Sequence, residues 1–345
     1  MAEGFVAGIS ANQMVSAAGI AAVRTVLAEL AAQVRAAGIP SFVCAGLTGF
    51  DGASAAPVSL LAETPGFAPA AGERLTTALA VLPAEAPGTD PAKVAGIERV
   101  ASIPAVLPAE APRTDPAKVA GVERVASIPA VLLAEALGLS PAAVTVRSDI
   151  DIAYLASFAP GEGYLVYAGT GSIAAWIDAA GVLHRAGGRG VTLDDGGGGF
   201  WIAREAMRHI WRREDEQPGA WEQSPLARAV FDHVGGSDWA YSRQFIYGQD
   251  RGAIGRLALA VAQAADTDPV ARAILEQAGQ ELARIALALV GRYGARPIAV
   301  SGRAATLHPA IVQAMRAALP VELSLQQISG PAHHAAARIA LHSHA

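Results

Sequence analysis

Apolar residues in the first fifty positions recur in a way that predicts a strand, a helix and a second strand. Residues 5–9 form a short apolar run that is typical of a strand. Residues 16–37 favour an amphipathic helix with Ser16 as its N-cap. The apolar face of this helix comprises Ile20, Val23, Leu27 and Leu30. A glycine and a proline then stop the helix, and residues 41–49 predict a buried strand.

Beyond residue 140 the pattern predicts strands at both ends of a long helical region. Strands are predicted at 144–149, 163–169, 173–178, 297–302 and 321–328. Helices are predicted at 200–212, in an all-helical region up to about 294, at 308–318 and at 331–342. Because a short turn separates 163–169 from 173–178, these two strands are expected to form an antiparallel hairpin and not a crossover.

A tandem repeat lies between these two regions. Residues 82–106 and 107–131 are identical at 23 of 25 positions, and eight of the 21 prolines lie within them. If 82–131 is removed, the flanking residues join into one amphipathic helix that ends at Gly138. We therefore interpret 82–131 as an insertion, which is either a surface excrescence without chemistry or an arm that docks a partner.

The composition excludes several classes of protein. With 345 residues, of which 52% are hydrophobic and 17% charged, the chain can form one large or two medium domains and is not disordered as a whole. The net charge of −5 and the lack of a basic block argue against nucleic acid and anionic membranes as partners. The single cysteine, Cys44, excludes an internal disulfide and a metal centre built from cysteines alone. A secretory signal and a charge-free apolar span are not visible, so a cytoplasmic protein is expected.

The turn of the predicted hairpin, Gly169-Thr170-Gly171-Ser172, is the strongest candidate for a binding site. Glycine adopts positive φ angles and allows backbone N–H groups to approach a ligand closely. The two hydroxyls add further donors, and a tight turn rich in donors suits a phosphate group. Many hairpins carry a similar turn, so an ordinary β-turn is the alternative interpretation of this segment.

Three other segments extend this candidate site. Seven glycines lie in the segment 187–199, a density that packing is not expected to explain and that implies close approach of the backbone to another group or several positive φ angles. The segment leads into a helix at Phe200, whose N-terminus is expected to favour an anion. Asp149 is predicted to end a strand, with Asp151 on the same face. Ser301-Gly302-Arg303 lies where another predicted strand passes into a loop, and its two small residues suit a flat base that lies against the backbone.

Other residues with reactive or aromatic side chains give weaker signals. Four histidines have no cysteine or acid at ligand spacing, so exposed positions on a helix are favoured over a metal site. They are His333, His334, His342 and His344. Four tryptophans are predicted to pack against helices and not to form a stacking platform: Trp201, Trp211, Trp221 and Trp239. Cys44 is predicted to be a small buried hydrophobic residue.

In their order and spacing, these segments resemble the BadF/BadG/BcrA/BcrD ATPase family. That family includes N-acetylglucosamine kinase-like proteins and belongs to the sugar kinase/Hsp70/actin superfamily. The resemblance covers most of the chain outside the repeat. The motifs that carry it are Cys44-Ala-Gly-Leu-Thr-Gly49, Val146-Arg-Ser-Asp149, Ala168-Gly-Thr-Gly-Ser172, Gly187-Gly-Arg-Gly190, Leu193-Asp-Asp-Gly-Gly-Gly-Gly-Phe-Trp-Ile202, and Phe245-Ile-Tyr247 with Ile254-Gly-Arg-Leu-Ala258.

The resemblance implies an α/β fold of the two-lobed, actin-like ATPase type, in which each lobe is ribonuclease-H-like and ATP and Mg²⁺ bind in the cleft. The N-terminal lobe then comprises residues 1–146, with the insert 82–131, and the terminal helix 331–343. Residues 147–330 form the C-terminal ATPase lobe. The resemblance assigns no side chain of this chain as a metal ligand, and it leaves a homodimer open.

The resemblance also implies a role for each candidate site residue. Asp149 is the expected general base, which takes a proton from a sugar hydroxyl or orients water in an ATPase. The expected second phosphate loop comprises Gly169, Thr170, Gly171 and Ser172. The residues expected to contact the adenosine are Ser301, Gly302 and Arg303. Those expected to face the acceptor are Gly187, Gly188, Asp195 and Gly197.

The chain departs from the family's pattern at three places. The family opens with a hairpin of the type Asp-Gly-Gly-Gly-Thr, which holds Mg²⁺ and the β- and γ-phosphates. This sequence reads Met1-Ala-Glu-Gly-Phe-Val-Ala-Gly8 instead, so the expected fold lacks that first phosphate-loop hairpin. The family's Gly-Asp-Glu-Gly-Ser-Gly is replaced by Asp194-Asp-Gly-Gly-Gly-Gly199, and a tryptophan of the family is replaced by Arg189.

Three functions follow from these observations. The first is ATP-dependent phosphoryl transfer to a small molecule, an amino sugar such as N-acetylglucosamine, or ATP hydrolysis in the same cleft. The alternative is a catalytically impaired nucleotide- or sugar-binding module that lacks the first phosphate loop. The third is the electron-activating ATPase branch of the family, which uses cysteine-held iron–sulfur chemistry. The single Cys44 argues against this third function.

Overall fold

The computed structural model describes residues 17–37, 43–47, 128–328, 336, 337 and 339. The helices within these ranges are α1 (Ala17–Ala37), α2 (Ile128–Leu137), α3 (Asp149–Ser157), α4 (Gly199–Glu216), α5 (Pro225–Val234), α6 (Trp239–Gly248), α7 (Arg251–Arg256), α8 (Ala258–Ala264), α9 (Pro269–Tyr293) and α10 (Pro309–Ala318). The strands are β1 (Val43–Leu47), β2 (Val144–Ser148), β3 (Tyr164–Ala168), β4 (Ser172–Ile177), β5 (Leu183–Gly187), β6 (Ile298–Ser301) and β7 (Leu325–Gln327). The predicted strand 5–9, the N-cap Ser16, most of the repeat and the four C-terminal histidines lie outside the described residues. None of the described helices is both long and apolar enough to cross a membrane.

A five-stranded mixed sheet organises the second half of the chain. Its strand order is β5-β4-β3-β6-β7, with β3, β4 and β5 antiparallel and with β6 and β7 parallel to β3. The predicted hairpin is confirmed, because Ala168 at the end of β3 pairs with Ser172 at the start of β4. Tyr167 of β3 lies opposite Ser301 of β6. The two parallel strands therefore end at the edge from which the hairpin turn projects.

One long helix, α9, supports this sheet. It contacts β3, β4 and β5 and packs against α4, α8 and α10. Asp268, which is almost completely buried, accepts the N–H of Val270 in α9 at 2.9 Å and that of Leu226 in α5 at 3.0 Å. The beginnings of two helices are thus tied to one carboxylate. The fully buried side chains of α9 include Leu275, Leu282, Ile285 and Leu289.

A second, two-stranded sheet pairs β1 with β2 in parallel, with Val43 opposite Val144. Helix α2 packs between α1 and β2, and an ion pair of 3.1 Å joins Arg24 of α1 to Glu135 of α2. The predicted apolar face of α1 is confirmed, because its first three members are buried: Ile20, Val23 and Leu27. Helix α3 contacts β1 and β2 in this sheet and β3 and β4 in the other, so it links the two sheets.

Helix α2 ends where the sequence predicts but begins inside the repeat. Gly138 has a φ of +73°, and Leu139 donates its N–H to Ala134 O at 2.9 Å, as expected for a glycine C-cap. The helix begins at Ile128, so the last residues of the repeat belong to it and not to the predicted insertion. Pro129 is compatible with this start, because the N–H groups of a first helical turn have no helical acceptor.

Two predictions at the end of β2 are wrong. The strand ends at Ser148, and Asp149 begins helix α3 instead of ending the strand. Ser148 is the N-cap, and its Oγ accepts the N–H of Asp151 at 3.0 Å. Residues two positions apart on a helix are separated by about 200° of rotation about its axis, so Asp149 and Asp151 do not share a face.

Smaller corrections concern strand lengths and burial. The pattern does not reveal β5, because its five residues mix apolar and basic side chains without alternation. The last strand is much shorter than predicted, and Val321 within the predicted span is 94% exposed. Trp239 packs edge-on against Trp211 at 5.2 Å, yet half of its surface is exposed. Cys44 is half-buried and lies beside Ile152.

Candidate functional site

The turn between β3 and β4 presents two backbone donors. Gly169 donates its N–H to Gly171 O at 2.9 Å, which tightens the turn. The N–H groups of Thr170 and Gly171 have no hydrogen-bond acceptor within the residues that the structure describes. All three residues are half-buried, so the turn is reachable from solvent. Adjacent free N–H groups in one turn form the kind of donor site that binds phosphate oxygens.

The carbonyl side of the same turn is bound by the beginning of helix α4. Gly199 donates its N–H to Gly169 O at 2.8 Å, and Phe200 donates to Thr170 O at 2.9 Å. A Cβ at Gly198 would lie 2.6 Å from the backbone of the turn, so only glycine allows this approach. The anion site predicted at this helix N-terminus is therefore corrected. The first two N–H groups of α4 hold the turn and are not free for a ligand.

Ser172, the last residue of the turn, is engaged inside the protein. It is buried, and its Oγ donates to Gly196 O at 2.6 Å. This bond joins the turn to the glycine-dense segment 187–199. The hydroxyl that was expected to add a phosphate donor is thus used within the fold. The hydroxyl of Thr170 has no partner among the described residues, and it is the one that a ligand can reach.

Asp195 lies directly behind the turn. It is 7% exposed, its φ is +58°, and its Oδ1 accepts the N–H of Gly190 at 3.1 Å. A Cβ at Gly171 would lie 2.2 Å from Oδ2 of Asp195, so the missing side chain makes room for the carboxylate. Burial raises the pKa of Asp195, although the Gly190 N–H and the charge of Arg251 act in the opposite direction.

An ion-pair network holds the glycine-dense segment on α9. Arg284 donates from Nη2 to both carboxylate oxygens of Asp194, at 3.0 and 3.2 Å, and from Nε to Glu281 Oε2 at 2.7 Å. A Cβ at Gly197 would lie 2.6 Å from Ala278 O, so the segment also meets the backbone of the helix. The segment is therefore held against α9 as well as against the turn.

The residues predicted to face an acceptor have packing reasons of their own. Gly187 and Gly188 have φ values of +69° and +63°. A Cβ at Gly187 would lie 3.1 Å from Ile285, and one at Gly188 would lie 2.8 Å from Ile173. The other two residues are also packed: Asp195 lies behind the turn, and Gly197 lies on α9. Contact of these four residues with an acceptor stays a prediction.

The end of β6 adjoins the turn. Gly302 has a φ of +99°, and a Cβ at this position would lie 2.3 Å from Ala168 O. Only glycine permits this close approach of two chain segments. The predicted adenosine contacts, Ser301, Gly302 and Arg303, therefore lie beside the predicted phosphate turn.

Asp149 begins helix α3, which packs on β3. Burial raises the pKa of the Tyr167 phenol, the charge of Asp149 raises it further, and the charge of Arg303 lowers it. Both charges thus act on one side chain of β3, immediately before the turn. The structure brings together the predicted general base, the predicted phosphate turn and one of the predicted nucleotide contacts.

Two residues that shape this site were not predicted, Gly255 and Arg284. A Cβ at Gly255 of α7 would lie 3.4 Å from Cγ2 of Thr170, and one at Gly199 would lie 3.0 Å from Gly255 O. Gly255 had one signal in the sequence, its place in a motif that carries the family resemblance. Arg284 is 90 residues from Asp194, and no local pattern marks the pair.

The donors and close approaches at this edge fit the phosphates of a nucleotide. The described residues contain no group of three or more His, Cys, Asp or Glu side chains that could hold a metal ion by themselves. Mg²⁺ commonly binds phosphates and water together with one or two carboxylates.

Comparison with known proteins adds solved structures only, since neither a protein-family model nor a curated protein matches the chain. A Porphyromonas gingivalis protein, provisionally named an N-acetylglucosamine kinase, is 17% identical with a TM-score of 0.52, covering 64% of this chain and 75% of its own. A Chromobacterium violaceum protein with the same provisional name is 29% identical with a TM-score of 0.48, covering 62% and 72%. A ROK-family glucokinase from Streptomyces griseus, solved with glucose and AMPPNP, is 14% identical with a TM-score of 0.36, covering 60% and 69%.

The likeness to the Porphyromonas gingivalis structure establishes the fold class. The chain is an α/β protein with a mixed sheet that matches this structure, as the family resemblance implied. An identity of 17% shows the fold alone. Membership of the BadF/BadG/BcrA/BcrD family, the two-lobed layout with its stated boundaries and the missing first phosphate hairpin stay predictions.

Proposed function

We propose that this protein transfers the γ-phosphoryl group of ATP to a hydroxyl of a small molecule, with an amino sugar such as N-acetylglucosamine as the acceptor. When water takes the place of the acceptor, the same cleft hydrolyses ATP. The observation that carries the proposal is the convergence at one sheet edge of the turn 169–172, the strand end 301–303 and Asp149. Phosphoryl transfer needs donors around the phosphates, a cation and a positioned carboxylate, with little covalent chemistry from the protein.

Each part of the edge has one task in this proposal. The free N–H groups of Thr170 and Gly171 bind phosphate oxygens, and Ser301–Arg303 lies along the adenosine. Asp149 accepts the proton of the acceptor hydroxyl as the hydroxyl attacks. Mg²⁺, when bound with the nucleotide, neutralises charge on the phosphates. The choice of an amino sugar rests on the family resemblance and on the fold shared with a protein provisionally named an N-acetylglucosamine kinase.

A second function is favoured by one departure from the family's pattern. Gly196–Gly199 replaces the glutamate and serine that would hydrogen-bond an acceptor, and the chain packs this segment against the turn and α9. A nucleotide- or sugar-binding module that does not transfer phosphate, without the first phosphate loop, is compatible with that change. The two functions differ in turnover and not in binding.

The test is Mg²⁺-dependent release of ADP from ATP, with and without N-acetylglucosamine, by the wild type and by Asp149→Asn. We expect the variant to lose turnover by about 100-fold or more, because general-base catalysis contributes on the order of 10²–10⁴. Asp151→Asn is the matched control, since it changes an acid in the same helical turn that points away from Asp149, and its turnover should equal that of the wild type.

The outcomes distinguish the two functions. Nucleotide binding by calorimetry without turnover by the wild type favours the binding module. Turnover that Asp149→Asn leaves intact removes Asp149 from the role of base. Absence of both binding and turnover with the full chain overturns both functions.

A further inference from the structure

Tyr167 occupies a central place at the site, and no role assigned above explains it. It lies opposite Ser301 and is separated from the turn by Ala168 alone. It is the half-buried member of β3, whose other four residues are buried. Its ring covers the start of the turn, because a Cβ at Gly169 would lie 3.3 Å from Cε1 of Tyr167.

The hydroxyl of Tyr167 has no hydrogen-bond partner within the described part of the chain. The two tyrosines that precede it behave differently, since Tyr154 reaches Gly163 O at 3.1 Å and Tyr164 donates to Gly294 O at 2.7 Å. Because the Tyr167 hydroxyl is not one of the fully buried polar atoms among the described residues, solvent can reach it. It belongs to a ring that packs on a turn with two free N–H groups, so it is available to a ligand.

Two opposite charges influence the Tyr167 phenol. Asp149 begins α3, which packs on β3, and Arg303 lies two residues beyond Ser301, the strand partner of Tyr167. Burial raises the pKa of the phenol and Asp149 adds to the effect, while Arg303 opposes it. The phenol therefore keeps its proton at neutral pH and acts as a hydrogen-bond donor.

We propose that Tyr167 is a catalytic residue of the transfer step, whose hydroxyl donates a hydrogen bond to a non-bridging oxygen of the phosphoryl group as that group passes from nucleotide to acceptor. This inference rests on the proposed function, in which the turn binds the phosphates and Asp149 acts as the base. The proton stays on Tyr167 throughout, and no bond to the phenol oxygen forms or breaks. Charge that spreads over the phosphoryl oxygens in the transition state strengthens such a bond relative to the ground state.

The ring and the hydroxyl can be separated by experiment. Tyr167→Phe keeps the ring that packs on Gly169 and removes only the hydroxyl. We expect kcat to fall by about 100-fold, the scale for losing one donor to a transition-state oxygen, with little change in the KM for the sugar. The melting temperature should not change. Tyr247→Phe is the matched control, since it removes the hydroxyl of a tyrosine that is 79% exposed on α6, and its kcat should equal that of the wild type.

A second measurement does not depend on turnover. The chain has six tyrosines, so in protein labelled with 3-fluorotyrosine the ¹⁹F resonance that Tyr167→Phe lacks belongs to Tyr167. Adding Mg²⁺ with AMPPNP should shift that resonance and leave the resonance of Tyr247 in place. Asp149→Asn should lower the pKa at which the Tyr167 resonance titrates, and Arg303→Met should raise it.

The results separate this inference from the proposed function. Wild-type turnover, together with an unchanged kcat in Tyr167→Phe and an unmoved resonance, overturns the role of Tyr167 and leaves the kinase intact. A resonance that shifts with AMPPNP in a protein without turnover overturns the kinase and the catalytic role together, and leaves Tyr167 as a phosphate contact of the binding module. A parallel loss of kcat and melting temperature in Tyr167→Phe overturns the catalytic role in favour of a structural one.

Discussion

The conformations of single residues in the site are set by contacts with their neighbours. Asp195 combines a positive φ with burial, and it is the one non-glycine residue with a positive φ within the described ranges. Aspartate tolerates the left-handed region better than most residues do. Its carboxylate occupies the space left by Gly171, so the turn and the glycine-dense segment depend on each other at the level of two residues.

Replacing Asp195 by asparagine is expected to change how stability depends on pH. Burial raises the pKa of Asp195 in the folded protein above that in the unfolded chain, so the folded state binds this proton more tightly. The resulting stabilisation is complete below the unfolded pKa of about 3.9, and it is lost as the pH rises through the folded pKa. Asp195→Asn keeps the shape and the acceptor for Gly190, and it should gain stability relative to the wild type between pH 4 and pH 7.

Urea unfolding at pH 4, 5.5 and 7 measures this difference. Asp215→Asn, at an exposed position of α4, is the control and should follow the wild type at all three values. A gain of Asp195→Asn that is largest at pH 4 and vanishes at pH 7 would contradict a raised pKa.

Among the elements, α9 positions the site although it holds no predicted ligand. It supports three strands, binds Asp194 through Arg284 and lies against α10. Its contact with α10 depends on Gly279, where a Cβ would lie 2.1 Å from Ile311 O and 2.9 Å from Met315 N. Backbones of two helices approach this closely only where one of them lacks a side chain.

Two glycine-to-alanine changes in α9 are expected to have opposite effects. Gly279→Ala forces the two helices apart and should cost about 1–3 kcal/mol of unfolding free energy, the usual range for overpacking. Gly291→Ala, in the same helix, meets no atom within 4 Å. It should gain about 0.5–1 kcal/mol, because alanine has the higher helix propensity. Chemical denaturation of both variants tests the pair, and equal effects would contradict the close helix contact.

At the scale of the whole molecule, the site is assembled from distant parts of the chain. Asp149, the turn 169–172 and the strand end 301–303 meet because β3 and β6 are parallel neighbours and because α3 links the two sheets. The repeat 82–131 enters the described structure only through its last residues, which begin α2.

Deleting one copy of the repeat, residues 82–106, is expected to leave folding and turnover unchanged. The second copy matches it at 23 of 25 positions, so both junctions, including the residues that begin α2, keep nearly the same sequence. Thermal melting and the ATP assay check this. Deleting 107–131 instead yields almost the same protein, so the two variants should behave alike. A fall of more than about twofold in turnover in both would show that the repeat length contributes to function.

Local periodicity accounts for the parts of the fold that were predicted. Helices α1 and α10, the hairpin of β3 and β4 and strand β6 lie within a few residues of their predicted spans, because each has a strong apolar period or a clear stop signal. Strand β5 was missed because pairing with β4, and not its own pattern, makes it a strand. Helix α3 was missed because the residues before it have the pattern of a strand, whereas Ser148 caps the N-terminus of a helix.

The amino-acid sequence by itself determined that a glycine-rich turn joins two antiparallel strands, and that an acid and a second glycine-dense segment accompany it. Tertiary structure alone decided which donors of that turn are free. Ser172 and the start of α4 are engaged, whereas the N–H groups of Thr170 and Gly171 are free within the described structure, and the ring of Tyr167 packs on Gly169. The physical reason is that hydrogen bonds and excluded volume between residues tens of positions apart settle these questions, and no local period encodes such contacts.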